Sequence, residues 1–361
     1  PLIAYAIFGS SRTLVIGPDS ATALISAVTV GAVATQGSSD FLAITSALAL
    51  AVGVFFFVFG LLRMGWVANF IPDPAMKGFV QGLVWVTVIG QVPKLFGIQG
   101  GDGNFFEKLW QIIGRMPEAN MATTIVGLAS LILLFALKRF FPRLPSALVV
   151  VGLVTIVVII LDLENKGVKI VGVQQAGLPP FGIPQVSLAD FKGIIPGALA
   201  IVLLGYAESL GAAKAAAAKL GGKIDSNQEL VSHGPANIGS ALSSGFVVVG
   251  SLSKTSVAMD SGAKTQLSNL VSAVFVFLTL MFLMPLFRNL PVGTLGAIVM
   301  QDILGLADFR DLKRLLDIIV KEFAVAMFAL SVVLILGVLE GIGLGVVLAL
   351  LLLIYRASYP G

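Results

Sequence analysis

Apolar residues along this chain come in blocks too long for a soluble fold. Continuous apolar runs occupy 41–62, 121–137, 144–161, 267–287 and 323–336, each near or beyond the roughly 20 residues a helix needs to cross a bilayer core. There are too many of them to be buried core helices. The pattern predicts spans at 19–36, 41–62, 76–97, 120–138, 145–162, 191–213, 229–246, 254–262, 265–288, 291–305, 319–337 and 340–356. Two connections are long enough to carry structure of their own. One, 97–119, holds an amphipathic piece at 105–113 suited to the membrane interface, and the other, 162–190, is Gly/Pro-rich with a strand-like stretch at 168–173.

Composition sharpens this picture. The 361 residues are 57% hydrophobic and 12% charged, with a mean hydropathy of +1.00, far from the balance of a soluble domain. Forty glycines and 16 prolines would break soluble helices, but membrane helices tolerate them because neighbours re-satisfy the backbone. Broken or closely packed helices are therefore expected. No cysteine occurs, which removes disulfides and thiolate metal sites. The net charge of +4 gives no sign of a nucleic-acid partner, and its distribution is more useful than its size. With the spans alternating across the bilayer, most lysines and arginines collect on one face, among them Arg63, Lys138, Arg139, Lys214, Lys219 and Lys223. The positive-inside rule makes that face cytoplasmic and puts both long connections outside. A multi-pass protein of the cell (inner) membrane is expected. Its first residues look like the end of a span, so one or two helices are expected ahead of Pro1.

Two segments break the pattern in the same way. Val15-Ile16-Gly17-Pro18-Asp19-Ser20 is a β-branched stretch, then Gly-Pro, then a helix start with Asp and Ser able to cap. Val247-Val248-Val249-Gly250-Ser251-Leu252-Ser253-Lys254-Thr255 repeats that plan with hydroxyls at the helix start. Matched interruptions of this kind are the signature of an inverted-repeat transporter. Half-helices that begin inside the membrane turn their N–H groups and positive dipole ends toward a shared cavity, which suits an anion. Lys254 would add a full charge there. Pro18, Asp19, Ser20, Ser251, Ser253 and Thr255 supply backbone and side-chain groups around it. Asp19 doubles as a helix cap, although a carboxylate beside an anion site repels the substrate unless it is protonated or cation-paired. Glu208, mid-span in Gly205-Tyr206-Ala207-Glu208-Ser209, is costly to ionise in an apolar helix and suits coupling to a proton or sodium ion, with Asp19 a second candidate. Gln81, Gln91 and His233 are read as structural.

At these residues a resemblance becomes specific. Phe8-Gly9-Ser10-Ser11-Arg12, Val15-Ile16-Gly17-Pro18, Gln91-Val92-Pro93-Lys94, Asp225-Ser226-Asn227-Gln228-Glu229-Leu230, Gly234-Pro235-Ala236-Asn237 and Gly250-Ser251-Leu252-Ser253-Lys254-Thr255 are collinear and resemble the serial signatures of the sulfate permease (SulP) anion transporters. The resemblance implies an all-α polytopic membrane protein with an inverted seven-plus-seven repeat. Its core domain would be 1–63 with 191–288, its gate domain 64–190 with 289–361, and two half-helices would follow short strands. It also implies elevator-like transport of a small anion (sulfate, bicarbonate or a C4-dicarboxylate), a homodimer, and a cytoplasmic STAS domain in the full-length protein. Lys254 stands where animal members often carry Arg, so a point charge replaces a bidentate fork. Glu208 matches an acidic position tied to coupling in bacterial members.

Rival classes fare worse. Ser251-Leu252-Ser253-Lys254 has the form S-x-x-K but lacks the partner motifs of the serine enzymes. Gly262-Ala263-Lys264-Thr265 lacks the upstream glycine of a phosphate-binding loop. No enzyme activity and no cofactor is expected beyond a coupling proton or sodium ion. An anion channel and a nucleobase–cation symporter of the same architecture remain alternatives, the latter disfavoured because a lysine stands where a carboxylate for base recognition is expected.

Overall fold

The computed structural model describes residues 1–34, 39–66, 73–142, 144–173, 176–220, 222–305, 307, 320–337 and 344. The expected span 340–356 lies almost wholly outside them. Five described helices are long and apolar enough to cross a membrane: Asp40–Leu61, Lys77–Phe96, Met121–Phe140, Leu188–Leu220 and Leu267–Phe287.

The chain forms two compact units, each built from separated stretches. The first contains Pro1–Asp73 and Leu178–Leu278, and the second Pro74–Gly177 and Thr279–Gly341.

The first unit begins with α1 (Leu2–Phe8), β1 (Ile16–Gly17), α2 (Ser20–Gly31) and α3 (Ser39–Leu61). After the second unit's first stretch it resumes with α8 (Leu188–Leu220), α9 (Ser226–Leu242), β2 (Val249–Gly250), α10 (Leu252–Asp260) and α11 (Leu267–Leu278). Its scaffold is the packing of α3 against α9. Glycines let the two backbones nearly touch: a Cβ on Gly53 would lie 2.8 Å from the Ile238 nitrogen, and one on Gly60 2.7 Å from the Val231 nitrogen. In a membrane, where helices do not associate by escaping water, such close contact is the main source of attraction.

The second unit holds α4 (Asp73–Phe96), α5 (Phe105–Arg115), α6 (Met121–Phe140), α7 (Ser146–Ile160), α12 (Val292–Leu304) and a further helix, Val320–Ile335. Its core gathers Val126 and Leu134 of α6, Val150, Val154 and Val158 of α7, and Ala297 of α12. Ser130 and Thr294 join hydroxyls across α6 and α12 at 2.9 Å. Ser130 also donates to the Val126 carbonyl at 2.7 Å, so both hydroxyls find partners inside the protein.

Three features depart from the hydropathy pattern. Helix α8 continues to Leu220, past the expected end near 213, because the segment after Gly211 is rich in alanine and lysine. Those residues favour helix without being strongly apolar. The segment 168–173 makes one antiparallel bridge, Ile170 to Pro291, rather than a strand. The Val171 N–H reaches the Leu290 carbonyl and the Val292 N–H the Lys169 carbonyl, both at 2.9 Å, but the Leu290 N–H turns back to the Phe287 carbonyl at 3.2 Å and α12 begins at Val292, so the ladder stops there. The span expected at 229–246 ends at Leu242, where Ser243 and Ser244 form the helix exit with Ser244 at φ +51°.

Candidate functional site

The site grows from a backbone problem. β1 and β2 pair antiparallel, Ile16 opposite Gly250 and Gly17 opposite Val249, and the Ser251 N–H extends the ladder to the Val15 carbonyl at 3.0 Å. A two-residue ribbon has two open edges, and unpaired backbone groups are expensive away from water. Side-chain amides and hydroxyls close them. Asn237 of α9, fully buried, donates to the Val248 carbonyl at 2.8 Å and accepts from the Val248 N–H at 2.9 Å, as a third strand would. Ser209 of α8 accepts from the Gly250 N–H at 2.7 Å. On the β1 side, Asn269 of α11 donates to the Leu14 carbonyl at 2.9 Å and Gln266 to the Ser11 carbonyl at 2.8 Å.

Upstream, Glu229 anchors the loop that leads into β1. It is fully buried and accepts from the Tyr5 hydroxyl (2.8 Å), the Ser10 hydroxyl (2.7 Å) and the Ser10 and Ser11 N–H groups (3.1 and 2.9 Å). Four residues along α9, His233 is also fully buried, between the rings of Tyr5 and Phe56. That is the packing role expected of it. The expected structural glutamines, Gln81 and Gln91, each hold a buried side-chain oxygen without a hydrogen-bond partner.

Each strand runs straight into a helix. α2 starts after Pro18, with Asp19 as its N-cap accepting from the Ala21 N–H at 3.2 Å. α10 starts after Ser251, which makes no side-chain cap; its hydroxyl lies 3.2 Å from that of Ser253 instead. In this register Ser251 lies opposite Val15, four residues before Asp19, so the two helices start from opposite ends of the ribbon. The ribbon is two residues long, which keeps both positive dipole ends near each other.

Lys254 spans this short gap. Its ammonium donates to the Pro18 carbonyl, and a Cβ on Gly17 would sit 3.4 Å from it, so the charge lies over the start of α2 although it is carried by α10. Lys254, Ser253 and Pro18 are exposed, while Ser20 and Asp19 are half-buried. Glu208 of α8 places its carboxyl within hydrogen-bonding reach of Asp19, with its Oε2 buried and lacking a hydrogen-bond partner. Thr255 stands apart from this group. It is buried, and its hydroxyl accepts from the Val15 N–H (3.0 Å) and donates to the Ser251 carbonyl (2.6 Å), pinning the ribbon.

Pro18, Asp19, Lys254 and Glu208 are thus gathered in one place, with Ser251 and Ser253 beside them. Sequence reasoning missed the clamps: Asn237, Ser209, Gln266, Asn269 and Glu229. Glu229 and Asn237 stood inside the motifs that carry the family resemblance, but nothing in those motifs named their partners.

The chain matches the model of the sulfate permease family over residues 1–329. A probable sulfate transporter of Mycobacterium tuberculosis is 32% identical over 360 residues, covering all of this chain and 64% of the relative. The chloroplastic sulfate transporter 4.1 of Arabidopsis thaliana is 30% identical over 367 residues, covering all of this chain and 53% of the relative. Prestin of Danio rerio is 27% identical over 396 residues, again with all of this chain and 53% of the relative covered. The chain therefore spans between half and two thirds of these relatives. Among solved structures, SLC26A9 superposes with a TM-score of 0.89 at 21% identity, covering 99% of this chain and 59% of that one. The transmembrane domain of the cyanobacterial bicarbonate transporter BicA gives 0.79 at 22%, covering 97% and 88%. At such identities the structural likeness establishes the fold.

Proposed function

The chain belongs to the sulfate permease family, and we propose that it carries a small anion, either sulfate, bicarbonate or a C4-dicarboxylate, across the cell (inner) membrane by secondary active transport. One observation carries the reading: the Lys254 ammonium leans from the start of α10 to the carbonyl of Pro18 at the start of α2. A full positive charge carried by α10, a helix with no side-chain cap at its N-terminus, therefore lies over the start of α2. An anion arriving there exchanges water for charge-assisted hydrogen bonds, which are about twice as strong as neutral ones. The two half-helices are not equivalent. α2 is already capped by the Asp19 carboxylate, which favours α10, with Ser251 and Ser253, as the anion's main donor. Ser20 and Pro18 form the opposite wall, and Thr255 contributes by holding the ribbon.

Asp19 and Glu208 supply the coupling. Two carboxylates in contact repel unless a proton or a cation lies between them, and taking up either one offsets the charge of an incoming anion. Glu208 is well suited to this because its Oε2 has no hydrogen-bond partner. In this reading 1–63 with 191–288 forms a core domain that moves elevator-like against a gate of 64–190 with 289–361. The protein works as a homodimer with inverted repeats, and a STAS domain completes the full-length chain.

The test is uptake into proteoliposomes of labelled sulfate, bicarbonate and C4-dicarboxylates, each with and without an inward proton or sodium gradient. Gradient-stimulated uptake of one anion that is lost in Lys254→Ala supports the reading. Uptake unaltered in Lys254→Ala refutes the site, and passive flux insensitive to every gradient refutes coupled transport.

A further inference from the structure

Helix α5 meets three surroundings along three strips. At ~100° per residue, Leu109 and Ile112 share one strip with Phe105, and this strip packs on Ile89 and Ile98. Glu107, Gln111, Arg115 and Lys108 share a second. The third is Phe106, Trp110 and Ile113, spaced i, i+4, i+7 and exposed by 52%, 78% and 55%. A helix at a protein–water boundary needs only the first two strips. An exposed aromatic and aliphatic third strip needs an apolar partner.

The helix is held so that this strip cannot turn inward. Asn104 and Glu107 form a reciprocal cap at 3.0 and 2.9 Å. Gln111 grips the Asp102 backbone through both its oxygen and its nitrogen (3.2 and 3.0 Å), and Arg115 donates to the Gly100 carbonyl at 2.6 Å. The polar strip is thereby stapled to the loop 97–104. The helix also touches Val320–Ile335, which fixes it from a further side.

Its depth follows from the chain. α5 lies between the end of one candidate span at Phe96 and the start of another at Met121, and these two ends are joined by the Asn120 N–H donating to the Phe96 carbonyl at 3.0 Å. Both ends of the connection therefore start from one level, where the hydrocarbon stops. A tryptophan on the strip opposite Lys108 and Arg115 at that level fits the boundary of headgroup and acyl chain, where indole rings concentrate and an amphipathic helix keeps its charged face toward water.

We propose that α5 is an interfacial anchor: Phe106, Trp110 and Ile113 insert among the lipid headgroups and upper acyl chains of one leaflet and fix the depth at which the second unit rides in the bilayer. This inference stands independently of the anion reading.

Trp66→Phe with Trp85→Phe leaves Trp110 as the sole tryptophan of these 361 residues. Reconstituted into phosphatidylcholine vesicles brominated at a shallow or a deep acyl position, Trp110 is expected to be quenched most by the shallow bromines and little by aqueous iodide. Strong iodide quenching without bromolipid quenching overturns the proposal, because the strip then faces water. Quenching by neither also overturns it, because a second copy or another part of the protein then covers the strip. The chain has no cysteine, so Ile113→Cys carrying a nitroxide gives an independent measurement if the double variant fails to fold. Greater relaxation by oxygen than by a water-soluble nickel complex is expected at 113, with the reverse at Glu107→Cys. Aqueous behaviour at both sites overturns the proposal.

Discussion

Replacing Asn237 with leucine tests whether the strand ribbon depends on its amide clamps. The side chains are similar in size, so the change removes hydrogen bonds with little loss of packing. Asn237 is fully buried and holds both the N–H and the C=O of Val248, itself only 3% exposed. Leucine leaves both groups without a partner. Each buried unsatisfied group costs about 1–3 kcal/mol, so Asn237→Leu should lose about 2–6 kcal/mol. Against a net stability of about 5–15 kcal/mol, that is large enough to lower both folded yield and unfolding midpoint. The assay is thermal unfolding of the purified protein in detergent, compared with Ser272→Ala. Ser272 is an exposed position on α11 whose hydroxyl bonds only the Ser268 carbonyl at 2.9 Å in its own helix, so its loss should stay within about 0.5 kcal/mol. β2 leads directly into Ser251 and Lys254, so the fraction of Asn237→Leu that still folds should also show a raised KM for the transported anion. If the two variants unfold at the same midpoint, the ribbon does not rely on Asn237 and the account of its edges is wrong.

Three further outcomes follow from the same geometry. Lys254→Gln should weaken apparent anion affinity by about 10- to 100-fold, the loss of one hydrogen bond to a charged group; Lys254→Arg should keep binding but change the ranking of planar and tetrahedral anions, as competition uptake would show. Glu208→Gln should abolish stimulation by a proton or sodium gradient while leaving anion exchange measurable, and gradient dependence that survives would remove Glu208 from coupling. Gly205→Ala puts a Cβ 2.5 Å from Val249 Cγ1. It should cost about 1–3 kcal/mol as an overpacked contact between α8 and β2, read as a lower unfolding midpoint.

The membrane helices were legible because hydropathy is a local property: each apolar block announces its own span. The half-helices at Asp19 and Ser251 were legible for a related reason, since Gly-Pro and Gly-Ser interrupt apolar stretches at matched places. Hydropathy misplaced the end of α8, because Ala212, Ala213 and the alanines after Lys214 favour helix without being strongly apolar. Pattern also failed at 168–173, where strand propensity is real but the facing segment turns back at Leu290 and enters α12 at Val292. The clamps were illegible for a different reason. Asn269 meets Leu14 across 255 residues, and Glu229 meets Ser10 across 219. A lone amide or carboxylate in an apolar helix states that it needs a partner without saying which one.

Glu229 and Glu208 show how that ambiguity resolves once partners are known. Both are carboxylates in helices of the same unit, and the sequence singles out Glu208 only by its place in the middle of an apolar span. Glu229 is saturated, with Tyr5, both donors of Ser10 and the Ser11 N–H converging on its two oxygens. It also sits in the first turn of α9, where the helix dipole favours negative charge. A further proton or cation there would have to displace bonds that hold the entry to β1. Glu208 has the opposite surroundings. Its neighbour is a second carboxyl, Asp19, and its Oε2 has no hydrogen-bond partner. A buried acceptor in that condition gains by binding a positive species. The saturated carboxylate therefore fits the scaffold and the unsaturated one the coupling step. In that division the coupling carboxylate neighbours Asp19, the residue that follows the Pro18 carbonyl accepting from the Lys254 ammonium.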